Sequence, residues 1–345
     1  MTHPIRRQLE PILDAITLLS PAAFLFRGEA IAVPPGPVLP IPGVPAHPLP
    51  QMPLVRELQS QLYARCYSRP FDDTAPIPAP TADPSWVQRL AAANRSQPRW
   101  EAGWTVYTLA ASGQVYLQKG DRQRTAQPGE YLTAGPPGML PQVGSQVTVS
   151  APRDSAIAQP GFYFLYGETL SDLWDEHQLL RFYFHSTADG APALLEYLTA
   201  ELNRFQVPFR MKALVEPSMY FRTDAVVLYL ARRFHQIATR IALRMPSAVA
   251  AGLRPATPLF TLRLAPGIGL AEEPNTGESF GMHRCRLTAE AIFEAWKNGE
   301  SSTPGRLAAI AAQFSGAGFN LDLPYLSPAS MDLETPAIAV EFAYA

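Results

Sequence analysis

Basic residues are concentrated between positions 181 and 233, in three short segments of strand-like sequence. The segments are Arg181–His185, Phe209–Lys212 and Tyr220–Asp224. Side chains alternate between the two faces of a strand, so Arg181, Tyr183 and His185 are expected to share one face. By the same alternation, Arg210 lies beside Lys212 and opposite their apolar neighbours. The pattern predicts a sheet with one apolar, core-facing side and one cationic side that could receive an anion such as phosphate.

Arginine suits phosphate because its planar guanidinium binds two oxygens at once and keeps its charge when partly buried. Four groups of candidate residues follow from the basic clusters. They are Arg181 with His185, Arg210 with Lys212, Arg222 near Arg232 and Arg233, and His283 with Arg284. Each cluster taken alone also fits a solvated surface. Arg222 is two residues from Asp224, which fits a same-face ion pair equally well.

Two histidines are candidates for proton transfer. His185 and His283 each have an arginine nearby that could help to present the imidazole to an anion. The alternative for either residue is a structural role, with the ring satisfied by hydrogen bonds at the end of a strand.

Composition narrows the class of protein. The 345 residues include 28 Lys and Arg against 30 Asp and Glu, a net charge of −2, which argues against a general binder of nucleic acid or anionic membranes. Cys66 and Cys285 lie far apart and without metal-type spacing, so we expect no metal site and a reducing, cytoplasmic setting. The N-terminal stretch lacks an uninterrupted apolar core of the signal-peptide kind, and no run reaches transmembrane length.

Common site motifs give little support to other chemistries. The chain lacks the glycine-rich dinucleotide and P-loop patterns and the zinc-protease pattern. Gly277–Gly281 does spell Gly-x-Ser-x-Gly, with Ser279 at the nucleophile position. A nucleophile elbow needs a buried strand before it, and residues 271–276 are polar and interrupted by proline, so a turn serine is favoured.

The hydrophobic pattern predicts an α+β fold, with a mixed or antiparallel sheet and flanking helices. Residues 1–99 form a helical and proline-rich region, with helices near 5–19, 54–66 and 85–95 and an extended proline-rich linker over 33–53. Residues 100–345 form a second region that begins with a β-meander over 100–167. Its core, 180–300, is predicted to alternate strands at 181–185, 208–214 and 225–231 with helices at 190–205 and 233–245. Further helices are predicted at 287–298 and 304–314.

The stretch from Arg181 to Arg286 resembles the HopA family of type III secretion effectors. The resemblance lies in residues 202–212 and 220–229, Thr257–Phe260, Pro266–Leu270 and Gly277–Cys285. Relatives of this domain also occur in gene clusters for lanthipeptides and thioamitides, beside a kinase-like phosphotransferase. There the resemblance implies elimination of phosphate from phosphoserine or phosphothreonine. Residues 207–212, with Tyr220 and Arg222, are also similar to elements of phosphothreonine lyase domains, although the Tyr-x-Arg spacing differs.

The resemblance implies a lyase that needs neither a metal nor a cofactor. We expect it to act on a phosphorylated peptide in natural-product modification, with a kinase-like phosphotransferase as partner and without nucleic acid or membrane. The alternatives are a non-catalytic phosphopeptide-binding module and a secreted effector that acts on a host protein. The predicted roles are base for Lys212, acid for His185 and phosphate binding for Arg181, Arg210, Arg222 and Arg284, with Tyr220, Asp224, Arg232 and His283 as further candidates.

Overall fold

The computed structural model describes residues 4–34, 52–79, 83–135, 139–172, 175, 177–328, 330 and 333. The helices are α1 (Pro4–Asp14), α2 (Pro53–Leu62), a π-helix (Tyr63–Tyr67), α3 (Trp86–Ala93), α4 (Ala191–Arg204), α5 (His235–Leu243), α6 (Ser247–Ala250), α7 (Phe280–Lys297) and α8 (Thr303–Gly316). The strands are β1 (Ile16–Ser20), β2 (Ala23–Phe26), β3 (Glu29–Ala32), β4 (Arg99–Leu109), β5 (Val115–Lys119), β6 (Arg122–Ala126), β7 (Tyr131–Thr133), β8 (Gln146–Ala151), β9 (Asp154–Gln159), β10 (Phe162–Tyr166), β11 (Leu179–Phe184), β12 (Arg210–Leu214), β13 (Val226–Ala231), β14 (Leu262–Ala265) and β15 (Ile268–Glu272).

A seven-stranded sheet forms the centre of the fold, in the order β14-β15-β11-β13-β12-β10-β9. Its neighbouring strands pair antiparallel. The central strand β13 is buried along its whole length, and β11 is buried over five of its six residues. Such strands need apolar side chains on both faces, which accounts for their Val, Leu, Phe and Tyr content. The α+β prediction is confirmed.

A second sheet has five strands in the order β6-β5-β4-β8-β7. Its own small core contains Trp104, Val106, Val115, Leu117 and Val149. The predicted meander extended to residue 167, but β9 and β10 belong to the central sheet, where β10 pairs with β12. The physical reason is that Tyr163 and Leu165 of β10 are apolar and buried in the larger core.

The N-terminal region differs from its prediction in one respect. The helix predicted over 5–19 ends at Asp14, and residues 16–32 form a three-stranded antiparallel sheet, β1-β2-β3. Ile16, Phe24 and Phe26 on this sheet are buried, so cross-strand pairing and core contact replace continuation of the helix. Most of the predicted proline-rich linker, residues 35–51, lies outside the described residues.

The π-helix follows α2 without a break and brings two tyrosines to the central sheet. Tyr67 packs edge-on against Tyr183 of β11, with ring centroids 6.3 Å apart. Tyr67 also packs closely against the start of α7: a Cβ atom added at Gly281 would overlap the Tyr67 ring, so only glycine fits at this position. π-Helical turns in proteins often occur at functional sites, and this one contacts Asp224 and Arg222 through the hydroxyl of Tyr63.

Candidate functional site

Three adjacent strands bring two of the predicted arginines to one tyrosine. In the register of the sheet, Arg181 of β11 and Arg210 of β12 both lie opposite Tyr229 of the intervening strand β13. Each guanidinium carbon lies 5.1 Å from the centroid of the Tyr229 ring. Positive charge over the negative face of an aromatic ring is favourable, so both cations are stabilised by contact with Tyr229, which lies between their strands.

Lys212 lies on the same face, one pair of residues further along β12. Its Nζ is 4.0 Å from the centroid of Phe162 and 5.9 Å from that of Tyr229. The amine donates a hydrogen bond to the neutral amide oxygen of Gln159, at 3.2 Å. We call Arg181, Arg210, Lys212 and Tyr229 the basic face.

The cations of the basic face differ in how they are compensated. Arg181 is buried and forms an ion pair with Glu273 through Nε and Nη2. Arg210 is exposed and Lys212 half-buried, and among the described residues neither has a carboxylate partner. The exposed side of the basic face therefore carries two cations that an incoming anion could neutralise.

Arg222 and Asp224 form a buried ion pair beside Lys212. Asp224 Oδ1 and Oδ2 accept from Arg222 Nε and Nη2, both at 2.8 Å, and Oδ2 also accepts from the Tyr63 hydroxyl at 3.2 Å. Burial disfavours the charged carboxylate, but the Arg222 charge and hydrogen bonds, aided by Lys212 and Tyr63, hold the pKa of Asp224 below its ordinary value. The ion pair that the sequence suggested for these two residues is thus present, and it lies beside Lys212 at the edge of the basic face.

Tyr183 of β11 is buried, with 2% of its surface exposed, and its ring packs edge-on against Tyr67. Its hydroxyl lies close to Arg181 and to the Tyr67 hydroxyl and interacts with both. Burial raises the pKa of this phenol, so it stays protonated at neutral pH.

His185 does not join the basic face, although it follows Tyr183 by two residues. The strand ends at Phe184, and the buried imidazole lies between two backbone carbonyls. Nδ1 is 3.2 Å from the oxygen of Ala256 and Nε2 is 3.1 Å from that of Phe221. Burial lowers the pKa of His185, and both ring nitrogens are occupied by structural contacts.

The His283–Arg284 cluster lies inside the core near the start of α7. Arg284 is fully buried and donates to the carbonyl oxygens of Pro324 and Leu326 at 2.7 and 2.9 Å. It also lies 2.7 Å from Nδ1 of His283, and the His283 ring packs on Phe319. These contacts attach the segment after α8 to the core, so the cluster serves the fold rather than the basic face.

The remaining candidates also have structural partners. The Tyr220 hydroxyl donates to the Leu214 carbonyl at 3.0 Å, and its ring packs edge-on against Trp86. Arg232 is ion-paired with Glu272, and Arg233 with Asp172 and Asp175. Ser279 is the N-cap of α7, where its hydroxyl accepts from the Met282 amide, and this agrees with the turn role favoured from sequence.

Three residues of the site were not singled out from sequence. Tyr229 could have been found, because its register opposite Arg181 follows from pairing two recognisable strands. Glu273 and Tyr63 carried no such signal, since their approach depends on the tertiary fold. Within the described part of the chain, no cluster of three potential metal ligands is present, and no helix is long and apolar enough to cross a bilayer.

Comparison with known proteins places the central region in a family. The model of the HopA1 effector protein family matches residues 153–326. Two solved structures are similar to this chain. The effector protein from Pseudomonas syringae pv. tomato strain DC3000 is 18% identical, with a TM-score of 0.43, over 79% of this chain and 96% of that one. The effector protein from Pseudomonas syringae pv. syringae strain 61 is 14% identical, with a TM-score of 0.41 and the same coverage.

No curated protein matches the chain. The family match covers half of the sequence, and it includes the strands that carry Arg181, Arg210, Lys212 and Tyr229. The chain therefore belongs to the HopA1 effector protein family.

Proposed function

We propose that this protein is an effector that binds a phosphorylated serine or threonine segment of a target protein on its basic face. The observation that carries the proposal is the convergence of Arg181, Arg210 and Lys212 on Tyr229; Arg210 and Lys212 form no salt bridge with any carboxylate in the described part of the chain. Hydrogen bonds to charged groups contribute about 1.5–3 kcal/mol each. Two such bonds to one phosphate are enough for selective binding of a phosphopeptide over its unmodified form.

The charge of the region matches a phosphate monoester. Four cations and two carboxylates lie together: Arg181, Arg210, Lys212 and Arg222 against Glu273 and Asp224. The excess of two positive charges is close to the charge of about −1.5 to −2 that a phosphorylated side chain carries at pH 7. A single glutamate or aspartate would neutralise only half of it, which favours phosphate as the ligand.

A second candidate function is elimination of the phosphate. Lys212 supports it, because its amine shares the face with the two arginines and is hydrogen-bonded to a neutral amide rather than to a carboxylate. In such a reaction the Lys212 amine, in its neutral form, takes the Cα proton and becomes the ammonium ion, the Cβ–O bond breaks, and phosphate leaves with its charge held by Arg181 and Arg210. The products are a dehydroamino acid and inorganic phosphate. His185 has no role in this scheme, because its ring is buried between two carbonyls.

Binding and elimination are separated by one experiment on purified protein. Fluorescence anisotropy with phosphoserine, phosphothreonine and unmodified peptides measures binding, and mass spectrometry of the same peptides after incubation with EDTA measures loss of phosphoric acid. We expect the phosphopeptides to bind at least ten times more tightly than the unmodified ones. Equal affinity for both kinds of peptide would refute phosphate recognition.

Single substitutions test which residues are needed for phosphopeptide binding and which for elimination. Arg210→Gln should weaken phosphopeptide binding by tenfold or more, corresponding to about 1.5 kcal/mol for one charged hydrogen bond. Arg204→Gln, on an exposed arginine of α4 that is paired with Glu201, is the control and should leave affinity unchanged. If elimination occurs, Lys212→Met should abolish it, while phosphopeptide binding is weakened by the lost charge but still measurable through Arg210 and Arg181. Unchanged elimination by this variant would exclude Lys212 as the base.

A further inference from the structure

The basic face continues beyond the family-matched segment, onto the five-stranded sheet. Tyr166 of β10 lies opposite Arg210 in the register of the central sheet. Next to it, the carbonyl of Gly167 accepts a hydrogen bond from Nη1 of Arg99, the first residue of β4. Arginines and tyrosines thus alternate along one row that crosses the central sheet and ends on β4. In order, the row contains Arg181, Tyr229, Arg210, Tyr166 and Arg99.

Arg99 has spare capacity to bind an anion. Its side chain is half-buried, its Nε is buried without a hydrogen-bond partner, and it forms no ion pair within the described residues. The neighbouring carboxylate, Glu101, is already bonded to Lys119 and Arg122. Burial raises the pKa of Tyr166; Arg210 and Arg99 oppose that rise and Asp154 adds to it to a smaller extent, which agrees with both cations lying near the hydroxyl.

The row sets the distance between two anion positions. A phosphate held at Tyr229 on β13 is two strand spacings, or about 10 Å, from β10, since neighbouring strands are about 4.8 Å apart. The Arg99 guanidinium lies at the end of β10, where it is bonded to the Gly167 carbonyl, so the same distance applies to it. An extended peptide advances about 3.3 Å per residue, so this distance corresponds to about three residues. A second anionic group on the same peptide would then reach Arg99.

We propose that Arg99 forms a second anion subsite, so that the peptide recognised by this protein carries an acidic side chain about three residues from its phosphorylated residue. The inference rests on the proposed phosphopeptide binding and adds a sequence requirement to it. It also gives the five-stranded sheet, which the family match does not include, a part in selecting the target.

The test uses synthetic phosphothreonine peptides that differ at one position. Glutamate or glutamine is placed three residues before or three residues after the phosphothreonine, and binding is measured by fluorescence anisotropy. We expect glutamate on one side to improve affinity about fivefold over glutamine, the size of an ion pair in a partly exposed position. The difference should shrink in high salt.

Substitutions at Arg99 test whether this residue causes the preference for glutamate over glutamine. Arg99→Gln should remove it while changing affinity for the glutamine peptides by less than twofold, and Arg99→Lys should keep most of it. Arg95→Gln, on an exposed arginine paired with Glu196, is the matched control and should behave as the native protein. If all phosphopeptides bind equally well, the subsite is wrong although phosphate recognition stands. If none binds, both proposals fail.

Discussion

The buried ion pair between Arg222 and Asp224 gives the sharpest prediction about stability. Asp224 is 6% exposed and accepts three hydrogen bonds, two from Arg222 and one from Tyr63. In Asp224→Asn the guanidinium would remain buried without its counter-charge. Removing one partner of a buried pair typically costs about 3–5 kcal/mol, and we expect a loss of that size in the free energy of unfolding.

The loss is large enough to measure in two ways. Equilibrium unfolding in urea, followed by circular dichroism, reports the free energy directly. For a chain of this length the unfolding entropy is about 0.7 kcal/mol per kelvin, so the same loss lowers the melting temperature by about 4–7 °C. Glu201→Gln is the control, because Glu201 pairs with an exposed arginine on α4 and such surface pairs contribute less than about 1 kcal/mol.

A double variant separates the charge effect from general damage to the core. In Arg222→Met with Asp224→Leu no unpaired charge remains, and replacement of a buried pair by apolar residues is often neutral. We expect it to recover most of the stability lost in Asp224→Asn. The reasoning is refuted if Asp224→Asn costs less than 1 kcal/mol, or no more than Glu201→Gln.

Two further predictions concern pH and packing. Burial depresses the pKa of His185 below its unfolded value of about 6.5, so the unfolded state takes up more protons as the pH falls below 6.5. The free energy of unfolding should therefore decrease from pH 7 to 5.5, a range in which most carboxylates do not yet titrate. In His185→Gln the midpoint of urea unfolding should depend less steeply on pH over this range. An unaltered slope would contradict this explanation. Gly281→Ala should cost about 1–3 kcal/mol in thermal unfolding because its Cβ would overlap Tyr67, whereas Gly316→Ala, with nothing within 4 Å of the new Cβ, should be neutral or slightly stabilising. Equal melting temperatures for the two glycine variants would show that the Tyr67 contact is not restrictive.

The sequence was most informative where local periodicity governs the structure. Alternation along β12 indicated that Arg210 and Lys212 share a face, and both contact Tyr229. Along β11 it placed Arg181 with Tyr183, but His185, predicted on the same face, follows the end of the strand and does not join them. The helices at 191–204 and 303–316 lie within a few residues of their predicted bounds because amphipathic spacing and proline near the first turn mark them. These features depend on neighbouring residues alone.

It was least informative where a distant segment supplies the partner. The polar sequence around His283 and Arg284 suggested an accessible site, but the carbonyls that bury Arg284 come from residues 324 and 326, about 40 positions away. His185 has the same difficulty, since its partners at Phe221 and Ala256 are set by loops. No local pattern reports which backbone carbonyl will face a polar side chain in the folded chain.

The largest hydrophobic core also bears on how the protein can be divided. It includes Leu9 of α1, Leu58 of α2 and Trp86 of α3, together with the strands of the family-matched segment. The Trp86 indole even donates to the Leu214 carbonyl, between β12 and the Tyr220 ring. The segment recognised by family comparison is therefore shorter than the unit that folds. A fragment cut at its borders would expose the back of Tyr183 and Phe280 to water, and expression of such fragments should yield aggregated protein whatever the state of the basic face.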